Sequence, residues 1–220
     1  MEKLPEITPE HVVPLLKTPY VSLYDLQYAK GRHYYDASRR SEAELVAVKS
    51  DAEFISMVPD AVSCFVIVIP PDDVPRLLLL SEYRYPVGRC LLGVPAGLID
   101  DKDLLTAQPL LSAAVREIRE ETGLIVTPKD RLQVLNPLVF STPGLSDESN
   151  ALILAVIRVP DLGVLTQKGE EETECINGFR ALTREEALQL LRRGRDADGF
   201  WYPLYTFAAL TYFVSGLWEE

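Results

Sequence analysis

The chain has 220 residues, 47% of them hydrophobic and 25% charged, with a net charge of −11. That is enough apolar material for one substantial core, or for a core domain with a smaller appendage. The negative balance argues against broad binding to nucleic-acid backbones or anionic membranes; an anionic ligand would need a local correction, most simply a bound cation.

The N-terminal "MEKLPEITPEH" is polar and acidic, without the apolar stretch of a secretory signal. The three cysteines, Cys64, Cys90 and Cys175, are odd in number and widely spaced, with no CxxC pair. They suggest a reducing interior and hence a cytoplasmic protein. "YVSLYDLQYAKGRHYYDASRR", residues 20–40, reads as two strands around a turn at Lys30-Gly31, and residues 41–60 carry no firm pattern. "AVSCFVIVIP" (61–70) and "RLLLLSEYRYP" (76–86) are apolar runs bounded by turn signals, as adjacent central strands would be. "CLLGVPAGLIDD" follows as a short strand entering a Pro- and Gly-containing loop.

A helix then starts near Pro109, carries an apolar stripe of Leu110, Leu111, Ala114, Val115 and Ile118, and is capped by Gly123. "LQVLNPLVF" and "ALILAVIRV" read as strands separated by "STPGLSDESN". An acidic loop, "QKGEEETE", precedes "FRAL", and "TREEALQLLRRG" is a helix opened by a Thr183–Glu186 capping box. The uncharged segment 200–218 is interrupted by Pro203 and polar residues, so it reads as a buried C-terminal helix rather than a membrane span. Strands and helices come in mixed order, which predicts an α+β class with a mixed sheet. Residues 1–60 are expected to form an N-terminal strand element and residues 61–220 the main domain.

On the helix after Pro109, Glu117, Glu120 and Glu121 share a face at the edge of the apolar stripe. Like charges at that spacing cost roughly 0.2–0.5 kcal/mol, and Arg116 can offset part of it. In isolation the cluster reads as a solvated face with one ion pair. Beside a Gly-Pro loop able to expose backbone carbonyls, it reads instead as an oxygen-rich pocket suited to Mg²⁺ or Mn²⁺.

"GLIDDKD…REIREETGL" closely resembles the Nudix box of Nudix hydrolases, G-x5-E-x7-R-E-U-x-E-E-x-G-U, with U aliphatic. Gly97 matches the opening glycine, and Arg116, Glu117, Ile118, Glu120, Glu121, Gly123 and Leu124 match the second half. Asp103 stands at the first glutamate position, and twelve residues rather than seven separate it from Arg116. The resemblance implies a Nudix fold, a mixed β-sheet sandwiched between helices, with an antiparallel strand element at the N-terminus. "LLLLSEYRYPVG", "VPAGLIDD" and "STPGLSDES" are similar to segments of the ADP-ribose pyrophosphatase subgroup, and Pro143 fits the proline that marks it. Two departures are Gly93, where the subgroup has a glutamate, and "EYR" in place of "QYR".

The resemblance implies Mg²⁺-dependent hydrolysis of a nucleoside diphosphate sugar, ADP-ribose yielding AMP and ribose 5-phosphate. It implies Glu117 and Glu121 as metal ligands, Glu120 as ligand or bridge, and the carbonyl of Ala96 as a further ligand. Arg116 would hold Glu120 and the loop in place. Glu174, or alternatively Glu172, would act as general base. Arg84, Glu148, Tyr34 and Tyr35 would meet substrate, and a homodimer would form through the N-terminal strands, which also cover substrate. Alternatives are another nucleotide sugar or dinucleotide as substrate, or a silent nucleotide-sugar sensor. His11 and His33 lack ligand spacing.

Overall fold

The computed structural model describes residues 4–167 and 175–220. They fall into two compact units: the chain up to Asp60 with Leu138–Asn150, and Ala61–Pro137 with Ala151–Glu220.

In the first unit, strands β1 (Val12–Lys17), β2 (Ser22–Ala29) and β3 (Arg32–Ser38) form an antiparallel sheet in that order. Gly31 turns the β2–β3 connection with a φ of 69°, a left-handed value that favours glycine. A small core of Val12, Tyr24, Leu26 and Leu45 packs on the sheet. Helix α1 (Asp51–Ile55) is one short turn, opened by a Ser50–Glu53 capping box. The unit is also held by a polar knot. Arg40 lies 2.8 Å from Asp60 and 3.2 Å from Asp147. The second oxygen of Asp60 accepts from the Ser149 amide and hydroxyl at 2.8 and 2.9 Å, and that of Asp147 from the Val46 amide at 3.1 Å. Asp36 is buried beside Asp147; burial first, and then the Asp147 charge, raise its pKa to about 6.

The second unit is built on a sheet of strands β4 (Ala61–Ile69), β5 (Arg76–Arg84), β6 (Arg89–Gly93), β7 (Ala96–Leu98), β8 (Arg131–Phe140), β9 (Ser149–Arg158) and β10 (Ile176–Leu182). The order is β10-β5-β4-β9-β8, with β6 paired to β5 and β7 to β4. Strand β4 runs antiparallel to β5. It runs parallel to β9, because Asp60 bonds Ser149 where both strands begin and Val159 bonds Ile69 where both end. The sheet is therefore mixed, as the order of elements predicts. Four helices accompany it: α2 (Asp101–Leu104), α3 (Pro109–Thr122), α4 (Arg184–Arg193) and α5 (Leu204–Ser215).

Alternate residues on β4 and β5 explain their unbroken apolar runs. Val62, Cys64, Val66, Val68 and Leu78 pack with Ala113, Ala114 and Ile118 of α3. Phe65, Ile67, Leu77 and Leu79 pack with Ala187 and Leu190 of α4 and Ala209, Leu210 and Phe213 of α5. A sheet covered on both faces loses the polar–apolar alternation of a half-exposed one. Helix α5 starts after Pro203 and docks through the Thr206 hydroxyl, which donates to the Leu92 carbonyl at 2.7 Å. No described helix is long and apolar enough to cross a membrane.

Candidate active site

Helix α3 places its carboxylates by row. Leu110, Ala114 and Ile118 form the row that enters the core. Ala113, Glu117 and Glu121 form the next row, at spacings of four, and all three are buried. The helix ends are set locally: Pro109 occupies the first turn, and Gly123 takes a left-handed φ of 73° at the C-cap. A side chain at Gly123 would in addition collide with Thr166.

Glu117 and Glu121 press against the backbone of β7. The Glu121 carboxylate accepts the Ala96 amide at 3.1 Å. The Glu117 carboxylate occupies the space that a β-carbon on residue 97 would fill. This is the local reason for glycine there, since Gly97 has no positive φ to explain it.

Arg116 ties the edge together. One of its terminal nitrogens donates to Glu117 at 2.6 Å and to Glu120 at 3.2 Å. The other donates to the Leu98 carbonyl at 2.7 Å and to Asp103 at 2.9 Å. Asp100 lies 3.6 Å from the inner nitrogen. Burial opposes a charge at this position, but the bond to Asp103 and the charge of Glu117 outweigh it and hold the guanidinium more firmly protonated than usual. For Asp103, burial likewise favours the neutral form. Arg116, the Asp100 amide and the Ser112 hydroxyl overcome it and lower the Asp103 pKa below its ordinary value.

Asp103 thus reaches Arg116 despite the lengthened spacing. The extra residues are taken up by the turn of α2, which has Asp100 at its N-cap and Asp103 buried inside it. Ser112, Asp100 and the Leu98 carbonyl are members of this network that sequence reasoning missed. It also missed Glu82, buried on β5 with a carboxylate oxygen 2.6 Å from Arg84. Strand alternation was the available signal, since Glu82 shares a face with inward-pointing Leu78. Below the carboxylates, Cys64 is fully buried; burial, then the charges of Glu121 and Glu117, push its thiol pKa well above the ordinary value.

Arg116, Glu117, Glu120, Glu121, Ala96, Gly97 and Arg84 all belong to the second unit. Tyr34, Tyr35 and Glu148 belong to the first. There the Tyr34 hydroxyl donates to the Gly144 carbonyl at 2.8 Å, Tyr35 is exposed, and the Glu148 amide donates to the Ser146 hydroxyl at 3.0 Å. Pro143 and Tyr34 line a cavity of about 220 Å³ with Leu26 and Phe140 in the same unit. Glu172 and Glu174 lie outside the described residues.

Hard carboxylate oxygens beside a backbone strand, over a thiol kept neutral, suit Mg²⁺ or Mn²⁺ better than a thiophilic metal. Among the described residues, no three His, Cys, Asp or Glu side chains are already gathered into a metal cage. Glu120 is turned to Arg116 instead.

The NUDIX domain family model matches residues 59–205. An uncharacterized Nudix hydrolase of Schizosaccharomyces pombe is 38% identical over 98 residues, 44% of this chain and 43% of that protein. An ADP-ribose pyrophosphatase of Bacillus subtilis is 26% identical over 150 residues, 68% of this chain and 72% of that one. The match thus spans under half the length of the Schizosaccharomyces relative, and most of the Bacillus one. A crystal structure of an ADP compounds hydrolase superposes with a TM-score of 0.55 at 16% identity, covering 99% of this chain and 98% of that one, a likeness of fold. With the family match extending over some two thirds of its length, from the start of β4 to the start of α5, the chain belongs to the NUDIX domain family.

Proposed function

We propose that the chain hydrolyses the diphosphate bond of a nucleoside diphosphate sugar, ADP-ribose first, to AMP and ribose 5-phosphate. The observation that carries this reading is the pair of buried glutamates, Glu117 and Glu121, held one helical turn apart against the Ala96–Gly97 backbone. Arg116 meets Glu117 and the Ala96 amide meets Glu121, so the two carboxylates concentrate negative charge in a place of low polarity. A divalent cation can neutralise that charge and give a polyanion somewhere to bind. The kinship with proteins named ADP-ribose pyrophosphatase supports the choice of substrate.

Glu117 and Glu121 would hold Mg²⁺, or Mn²⁺, assisted by Glu120 and the Ala96 carbonyl. The cation, when bound, supplies positive charge to the diphosphate and lowers the pKa of water. The Ala96 amide and Arg116 keep Glu121 and Glu117 in fixed orientations before substrate arrives. Arg84 would fork onto substrate oxygens. Glu174, or Glu172, would take the proton from the attacking water as its oxygen joins phosphorus and the bridging P–O bond breaks. The first unit would supply Tyr34, Tyr35 and Glu148 to substrate and the contact of a homodimer. The setting would be cytoplasmic.

Incubation with Mg²⁺ and a panel of nucleotide sugars, with products identified, tests the reading. AMP released from ADP-ribose ahead of the other compounds is the expected result. Cleavage of a different compound would keep the chemistry and replace the substrate. Binding without cleavage across the panel would make the chain a nucleotide-sugar sensor.

A further inference from the structure

We propose that Glu82 is a positioning residue that anchors Arg84 for substrate, an inference that rests on the hydrolase reading above. Leu78 on β5 packs with α3, whereas Leu77 and Leu79 pack with α4 and α5. By the two-residue period of a strand, Glu82 and Arg84 therefore face the side of the sheet that carries α3 and its glutamates. Glu82 is 8% exposed, while the Arg84 side chain is 42% exposed. The buried carboxylate grips the terminal nitrogen Nη2 of Arg84 at 2.6 Å. A charge-assisted bond of this kind fixes one nitrogen of the guanidinium and leaves its other donors to a ligand.

Position 93 offers a second seat for the same carboxylate. Gly93 pairs with Leu80 on the neighbouring strand, so its side-chain direction lies on the same face, diagonal to Glu82. A β-carbon there would lie 3.9 Å from that same Nη2, with nothing closer. Gly93 has no positive φ, so the backbone accepts a larger residue. The charge on Arg84 can thus be met from either of two adjacent positions, and this chain uses Glu82.

The variants Glu82→Gln and Glu82→Gln/Gly93→Glu test the proposal on the full chain. Glu82→Gln should raise KM for ADP-ribose about tenfold with kcat within about twofold, because a loosened arginine weakens binding rather than chemistry. The double variant should recover most of the loss. In ¹⁵N spectra, the Arg84 guanidinium protons, assigned by their absence from Arg84→Lys, should exchange faster with water in the single variant and slow again in the double. Unchanged KM and exchange in Glu82→Gln would overturn the proposal, as would a folded double variant no better than the single. Should the wild-type chain turn over no nucleotide sugar, the hydrolase reading fails on its own. The exchange measurement then decides the anchoring by itself.

Discussion

Arg40 and Arg116 are built on the same plan in different units: one largely buried guanidinium among several carboxylates. Around Arg40, one oxygen of Asp60 and one of Asp147 are met by backbone amides and a hydroxyl, and Asp36 beside them takes up a proton as the pH falls through about 6. Around Arg116, the carboxylates converge on one exposed-to-buried helix edge and a strand backbone, and the Asp103 pKa is lowered rather than raised. A buried excess of negative charge can be relieved by a proton or by a metal ion. The first arrangement suits a structural joint, and the second is the one proposed above to hold a cation.

The largest expected effect tests the second half of that contrast. Glu117→Gln and Glu121→Gln should each cut turnover about 10³-fold, several kcal/mol of lost charge stabilisation, measured as AMP release. Full turnover in either variant would remove the cation from this edge. Next, Arg40→Ala and Arg116→Ala should each destabilise by about 3 kcal/mol in urea unfolding, because buried carboxylates lose their partner. Mg²⁺ should restore part of that loss for Arg116→Ala and none for Arg40→Ala; equal responses would erase the distinction between the two clusters.

Gly97→Ala should lower turnover about 10²-fold, the scale of a misplacement near 1 Å. Its unfolding midpoint should move little, because what must yield is the tip of Glu117 rather than backbone. The smallest effect concerns Asp36. Its folded-state pKa is raised from 3.8 to about 6, so between those values the native state holds a proton that the unfolded state has released. Stability contributed by that proton is present near pH 4 and is lost as pH rises through 6, by about 2 kcal/mol. Asp36→Asn should flatten this slope in a pH series of unfolding curves. An unchanged slope would place the titration elsewhere.

What the sequence made legible was what local signals mark. Pro109 and Gly123 bracket α3 because each fits a backbone position few other residues fit as well, and β4 and β5 are apolar throughout because both faces are covered. Strand β1 was not legible: "VVPLLK" contains a proline, and only Val12 of it is buried. The Arg40 knot was hidden for a different reason, since Arg40 and Asp147 are joined across more than a hundred residues. At the candidate site, the helix carboxylates could be read from their spacing. Glu82 was passed over although strand alternation marks its inward face, because its contact with Arg84 lies in a segment that looks like ordinary strand end. Helix α2 escaped notice because it lies in the part of the box where the spacing departs from the pattern.

The stop at Gly123 makes α3 a ruler. Its left-handed backbone and the methyl of Thr166 beside it both exclude a side chain, and the Thr166 amide closes on the Thr122 carbonyl at 3.0 Å. An inserted residue therefore cannot be passed out through that end. Placed ahead of Arg116, it would swing the row of Ala113 by about 100° against that of Glu117 and Glu121. Either the hydrophobic anchor or the acidic edge would then face the wrong way, and the helix could keep only one of them.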